Sequence, residues 1–167
     1  MPFKLFHDFY PELAEAETRT IIADDNSDLP PDQYAFMELY CDDPDCDCRK
    51  VIFNVAADRK KEIVAVIDWG WESLQYYKKW FRGDDWEAIY SMKGPILNKL
   101  ASQSELAPEL LELFKNLVLR DKSYINRIIR HYRMFRNALE KRKQGQQIEK
   151  DKIMVKRNDP CPCDLPL

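Results

Sequence analysis

The stretch KVIFNVAADRKKEIVAVIDWG, residues 50–70, decides the fold. In its first part Val51, Phe53 and Val55 recur at every second position, the period of a strand with one buried face. Its last part, residues 62–70, is mostly β-branched or apolar, which suits a central strand. The link between them, Asp58 to Lys61, is short enough to close an antiparallel hairpin. Upstream, YAFMELYC (34–41) alternates in the same way. Tyr34, Phe36, Glu38 and Tyr40 fall on one side, and Ala35, Met37, Leu39 and Cys41 on the other. A polar run of turn formers, DDNSDLPPDQ, separates it from ETRTII (17–22), which is short and rich in Thr and Ile. Together these segments predict an antiparallel sheet of three or four strands.

Past Gly70 the period lengthens to that of helices. Residues 71–81 place Leu74, Tyr77 and Phe81 on one face, and residues 84–92 follow until Gly94-Pro95 breaks the pattern. Asp68 and Glu72 read as carboxylates at a helix N-terminus. Pro108 suits a first helical turn, with Leu110, Leu111, Phe114, Leu117 and Val118 as the apolar stripe behind it. The longest helix is expected over 121–144, with Asp121 as N-cap and Gly145 as the C-terminal stop. Its stripe is Ile125, Ile128, Ile129, Tyr132, Phe135 and Leu139. Strands first and helices after is the order of an α+β fold: a small antiparallel sheet followed by a helical C-terminal half. The expected organisation is one α+β domain over 1–145, then a linker and tail over 146–167.

At 167 residues, 45% hydrophobic and 33% charged, the chain has the composition of a globular domain, and its 20 aromatic side chains can fill a substantial core. Trp69, Trp71, Trp80 and Trp86 are expected there. No apolar run approaches the roughly 20 residues of a membrane span. The opening, MPFKLFHDFYPELAEAE, lacks a sustained apolar segment ending in a small-residue cleavage site, which predicts a cytoplasmic protein. The net charge of −3 conceals a polarity, because 14 Lys or Arg stand against four Asp or Glu between Lys115 and Arg157.

Five cysteines fall in two clusters: Cys41, Cys46 and Cys48, then Cys161 and Cys163. An odd number at such close spacing is a poor disulfide framework, and metal binding accounts for it better. The Cys41-x4-Cys46-x-Cys48 run joins two strands, so a hairpin brings its thiols together around the turn chemistry of Asp42-Asp43-Pro44-Asp45. Zinc favours such sulfur-rich sites, and Arg49 and Lys50 would offset thiolate charge. Three cysteines leave one ligand to find. His131, on the flank of the long helix's stripe, is a candidate. His7, Asp42, Asp45, the tail cysteines and water are rivals.

The tail segment RNDPCPC (157–163) resembles the opening of the SEC-C motif, a small zinc-binding module at the C-terminus of the bacterial preprotein-translocating ATPase and on many uncharacterised bacterial proteins. Asn158, Asp159, Pro160, Cys161, Pro162 and Cys163 follow the motif's order. The resemblance implies that Cys161 and Cys163 are zinc ligands. It covers only the first half of the motif: where the motif continues to a terminal Cys-Cys or Cys-His pair, this chain has DLPL.

The chain contains no G-x-S-x-G, P-loop, dinucleotide-binding or H-E-x-x-H pattern, and four glycines are too few for a phosphate-cradling loop. The reading is a zinc-binding protein, a macromolecular interaction module built on a structural metal site, with a protein as partner. The alternative is a nucleic-acid-binding protein that uses the basic face of the 121–144 helix, where Arg127, Arg130 and Arg133 lie opposite the apolar stripe. A metal-dependent hydrolase ranks third, and the reading leans away from an enzyme.

Overall fold

The computed structural model describes residues 2–157, an α+β fold of six antiparallel strands and five α-helices. The strands are β1 (Phe3–Leu5), β2 (Arg19–Ala23), β3 (Asp32–Cys41), β4 (Lys50–Ala57), β5 (Glu62–Gly70) and β6 (Ile96–Leu97). They pair in the order β1-β3-β4-β5-β6, and β2 shares the outer edge of β3 with β1. The register sets Phe36 against Val55, Glu38 against Phe53, Phe53 against Ile67 and Val51 against Trp69. The alternation read from the sequence therefore builds one continuous buried face. Beside β6, the outer edge of β5 is finished by a side chain: Gln103 accepts from the Val66 N–H (2.9 Å) and donates to its carbonyl (3.1 Å).

The helices are α1 (Pro11–Glu17), α2 (Leu74–Phe81), α3 (Trp86–Lys93), α4 (Ala107–Leu113) and α5 (Lys122–Arg157). A π-helical segment, Phe114–Val118, continues α4. Its wider turn keeps Phe114 and Val118 buried and leaves Leu117 56% exposed, so Leu117 drops out of the expected stripe. Phe114 is the centre of the core, with ring centroids 5.8 Å from Phe36, 5.0 Å from Phe53 and 6.4 Å from Trp69. Tyr124, Ile128, Tyr132 and Phe135 of α5 close the same core.

Several local expectations change. Glu17, read as the start of a strand, ends α1 instead, and β1 and β6 are too short to carry a period. The N-cap of α2 is Ser73, which accepts from the Tyr76 N–H, while Asp68 and Glu72 pair with Lys50 and Arg49. Asp121 does cap α5, its carboxylate accepting from Tyr124 N–H at 3.1 Å. Gly145 does not end that helix, which runs on to Arg157. Nothing lies within 4 Å of the place where a Gly145 Cβ would stand, and residues 141–152 are all exposed. Of the four tryptophans only Trp69 is fully in the core; Trp86 is 43% exposed.

Gly70 ends β5 under the ring of Tyr77, where an added Cβ would overlap the tyrosine hydroxyl and ring carbon. Gly70→Ala is expected to cost about 1–3 kcal/mol through overpacking, read as a lower urea midpoint at unchanged slope.

Candidate metal centre

The last residue of β3 is Cys41 and the first of β4 is Lys50, so the intervening loop must turn the chain within eight residues. Asp43 makes the turn: its carboxylate accepts from Asp45 N–H (2.9 Å) and its carbonyl from Cys46 N–H (3.2 Å). Arg49 closes it at φ 47°, a left-handed conformation that costs a side-chain-bearing residue about 1 kcal/mol. Its guanidinium is fixed on three sides, by Asp47 (3.0 Å), Glu72 (3.0 Å) and the ring of Tyr76 (4.8 Å to the centroid).

The turn brings the three sulfurs of Cys41, Cys46 and Cys48 within 4.8 Å of one another. Cys41 and Cys48 are buried and Cys46 half-buried. Each sulfur also accepts a backbone N–H from two residues on: Asp43 to Cys41, Cys48 to Cys46 and Lys50 to Cys48. Such N–H groups stabilise sulfur-centred negative charge. Thiol hydrogen bonds from Cys48 and, more weakly, Cys46 hold the Cys41 thiol down to about 6. In return Cys48 is raised by the bond it donates and by burial, and Cys46 by burial and the Cys41 charge. One thiolate with two thiols turned toward it is a donor set that a soft or borderline cation fits by displacing the remaining protons. Zinc–sulfur bonds of about 2.3 Å set tetrahedral sulfurs about 3.8 Å apart, within the 4.8 Å limit that this cluster meets.

Two helices hold the loop from opposite sides. From α5, Arg136 donates to the carbonyls of Asp43 (2.6 Å) and Pro44 (2.5 Å), Lys143 pairs with Asp45 (3.1 Å), and the Tyr132 hydroxyl donates to Asp47 (3.2 Å). From α2, the Tyr77 hydroxyl donates to the Arg49 carbonyl (2.8 Å) and that of Tyr76 to the Asp47 carbonyl. The sequence marks out none of Tyr76, Tyr77, Tyr132 and Arg136 as holding the hairpin, because their partners lie in a loop far away in the chain. The buried Oδ1 of Asp42, next to Cys41, has no hydrogen-bond partner among the described residues.

His131 stands elsewhere. It is 1% exposed, stacked on Phe6 at 4.2 Å, with Nδ1 2.7 Å from Glu38 and Nε2 2.7 Å from Glu17. Nε2 also lies 3.4 Å from the Arg130 guanidinium. Glu38 also accepts from the Tyr40 hydroxyl (2.7 Å), and Glu17 is paired with Arg130. Both ring nitrogens thus face carboxylates, and the residue read from the sequence as a candidate fourth ligand belongs to a buried hydrogen-bonded cluster away from the cysteines. Cys161 and Cys163 lie outside the described residues.

Glu17 also engages the basic face proposed for nucleic acid. Arg127 donates to its carbonyl at 2.9 Å and Arg130 to its carboxylate, while Arg133 is exposed. The Arg130 hydrogen bond, helped by His131, holds the Glu17 carboxyl below its ordinary value. A depressed carboxyl contributes stability above its unfolded value, near 4.3, and loses it as pH falls through the folded value. Denaturation midpoints are therefore expected to be level above about pH 5 and to fall below it, and Glu17→Gln should flatten that acid limb.

No helix is long and apolar enough to cross a membrane among the described residues. No protein-family model, curated protein or solved structure matches the chain.

Proposed function

We propose that the β3–β4 hairpin binds a structural zinc ion through Cys41, Cys46 and Cys48, and that the metal-stiffened hairpin serves a macromolecular interaction module with a protein partner. The observation that carries the reading is the convergence of three sulfurs, each already accepting a backbone N–H. A structural role fits the surroundings: α2 and α5 both spend side chains on holding the loop. The nucleic-acid alternative has less support, because Arg127 and Arg130 are engaged by Glu17.

We assign Cys161 and Cys163 no part in this site.

Native mass spectrometry of the zinc-reconstituted chain tests the reading. One zinc per chain is expected in the wild type and in a chain ended after Val155, and none in Cys46→Ser. No zinc in the wild type would overturn the proposal; loss on truncation would overturn the separation of tail and hairpin.

A further inference from the structure

Behind the cysteine hairpin, on the sheet face away from the core, lies a cavity of about 280 Å³. Phe3, Ile52, Trp80 and Met92 form apolar walls, and Cys48 closes it toward the hairpin. Its polar groups are gathered in one place. Lys50 and Asp68 are diagonal neighbours on β4 and β5, their side chains only 15% and 14% exposed, with Lys50 Nζ 3.8 Å from Asp68 Oδ2. That separation is beyond hydrogen-bond range. Asp68 is held by Asn98, which donates to its other oxygen at 2.9 Å. The site therefore presents a fixed carboxylate and a largely desolvated ammonium, opposite in charge, close together, and not joined by a hydrogen bond.

We propose that this cavity binds a free apolar α-amino acid. A lone anion would gain Lys50 but meet Asp68, and a lone cation would gain Asp68 but meet Lys50. A zwitterion satisfies both, with its carboxylate on Lys50 and its ammonium on Asp68. Its side chain then lies against Trp80, Met92 and Ile52. The volume, about nine waters' share of liquid, matches a small branched or aromatic amino acid. A residue inside a peptide lacks both charges and a terminal residue lacks one, so the charge pattern selects the free amino acid. The site shares Cys48 with the hairpin but uses no metal ligand for recognition.

Calorimetric titration of the zinc-loaded full chain with L-phenylalanine tests this, with Trp80 fluorescence as a second readout. Saturable binding is expected. On the wild type, 3-phenylpropionate (no ammonium) and L-phenylalaninamide (no carboxylate) should each bind at least roughly ten-fold more weakly, because each leaves one buried charge unpaired. Asp68→Asn should reproduce the first type of loss with L-phenylalanine, and Lys50→Met the second. No saturable signal with L-phenylalanine or L-leucine up to about 10 mM would overturn the proposal. Equal binding of 3-phenylpropionate and L-phenylalanine would also overturn it, by reducing the site to an anion pocket.

Discussion

Chelating the metal from the full chain is expected to lower its apparent stability by about 4 kcal/mol, when the metal-bound form is measured at free zinc about a thousand-fold above the dissociation constant. The size follows from mass action, because the unfolded chain offers no assembled site. The location of the loss follows from the hairpin. Between Cys41 and Lys50 the loop has few backbone hydrogen bonds of its own, and its sulfurs are held by N–H groups and by each other. Without a cation, burial of one thiolate and two thiols opposes the turn instead of closing it. Amide exchange should therefore speed up across residues 41–50 and β1, which pairs with Cys41, while Phe114 and its neighbours stay protected. Cys48→Ser should reproduce the destabilisation, and a chelator should then have no further effect. A chelator that leaves the wild-type midpoint unchanged would show that the sulfurs are packing groups.

The sheet was legible because its signal is local. Period-two alternation in residues 34–41 and 50–57 names the buried faces correctly, down to Tyr34, Phe36, Glu38 and Tyr40 on one side. The cysteine hairpin was legible for the same reason, since its three cysteines lie within eight residues and flank a turn. What escaped the sequence is what distant segments supply. Glu17 and Glu38 are 114 and 93 residues from His131, and no spacing connects them. One signal was present: a lone carboxylate on the aromatic face of β3 demands a buried partner, and His131 on the flank of the α5 stripe was available to provide it. Gly145 misled for a related reason. A glycine ends a helix where the chain must turn back into contacts. Here α5 projects beyond the domain with residues 141–152 exposed, so nothing calls the chain back. The intrinsic cost of a mid-helix glycine, about 1 kcal/mol, is too small to stop a helix flanked by good helix formers.

His131→Leu is expected to destabilise the protein by about 1–3 kcal/mol, the usual cost of removing the hydrogen-bond partner of a buried polar group. Glu38 would then lie 5% exposed on the core face with only the Tyr40 hydroxyl as donor. Glu17, closer to solvent, keeps Arg127 and Arg130 and loses less. The asymmetry gives a sharper test than the single variant. Replacing both members, His131→Leu with Glu38→Leu, leaves no buried carboxylate, and Tyr40 retains the Ile128 carbonyl at 3.0 Å as its acceptor. The double variant should therefore recover most of the stability in urea denaturation, as apolar replacement of both hydrogen-bond partners does. Equal losses in single and double variants would mean that ring packing on Phe6, rather than the hydrogen bond to Glu38, holds His131 in place. Metal content measured on the same variants separates this role from ligation. With both nitrogens engaged by carboxylates, His131→Leu should keep its zinc while losing stability. Loss of zinc from a His131→Leu chain that remains folded would reverse the assignment and make the histidine the fourth ligand.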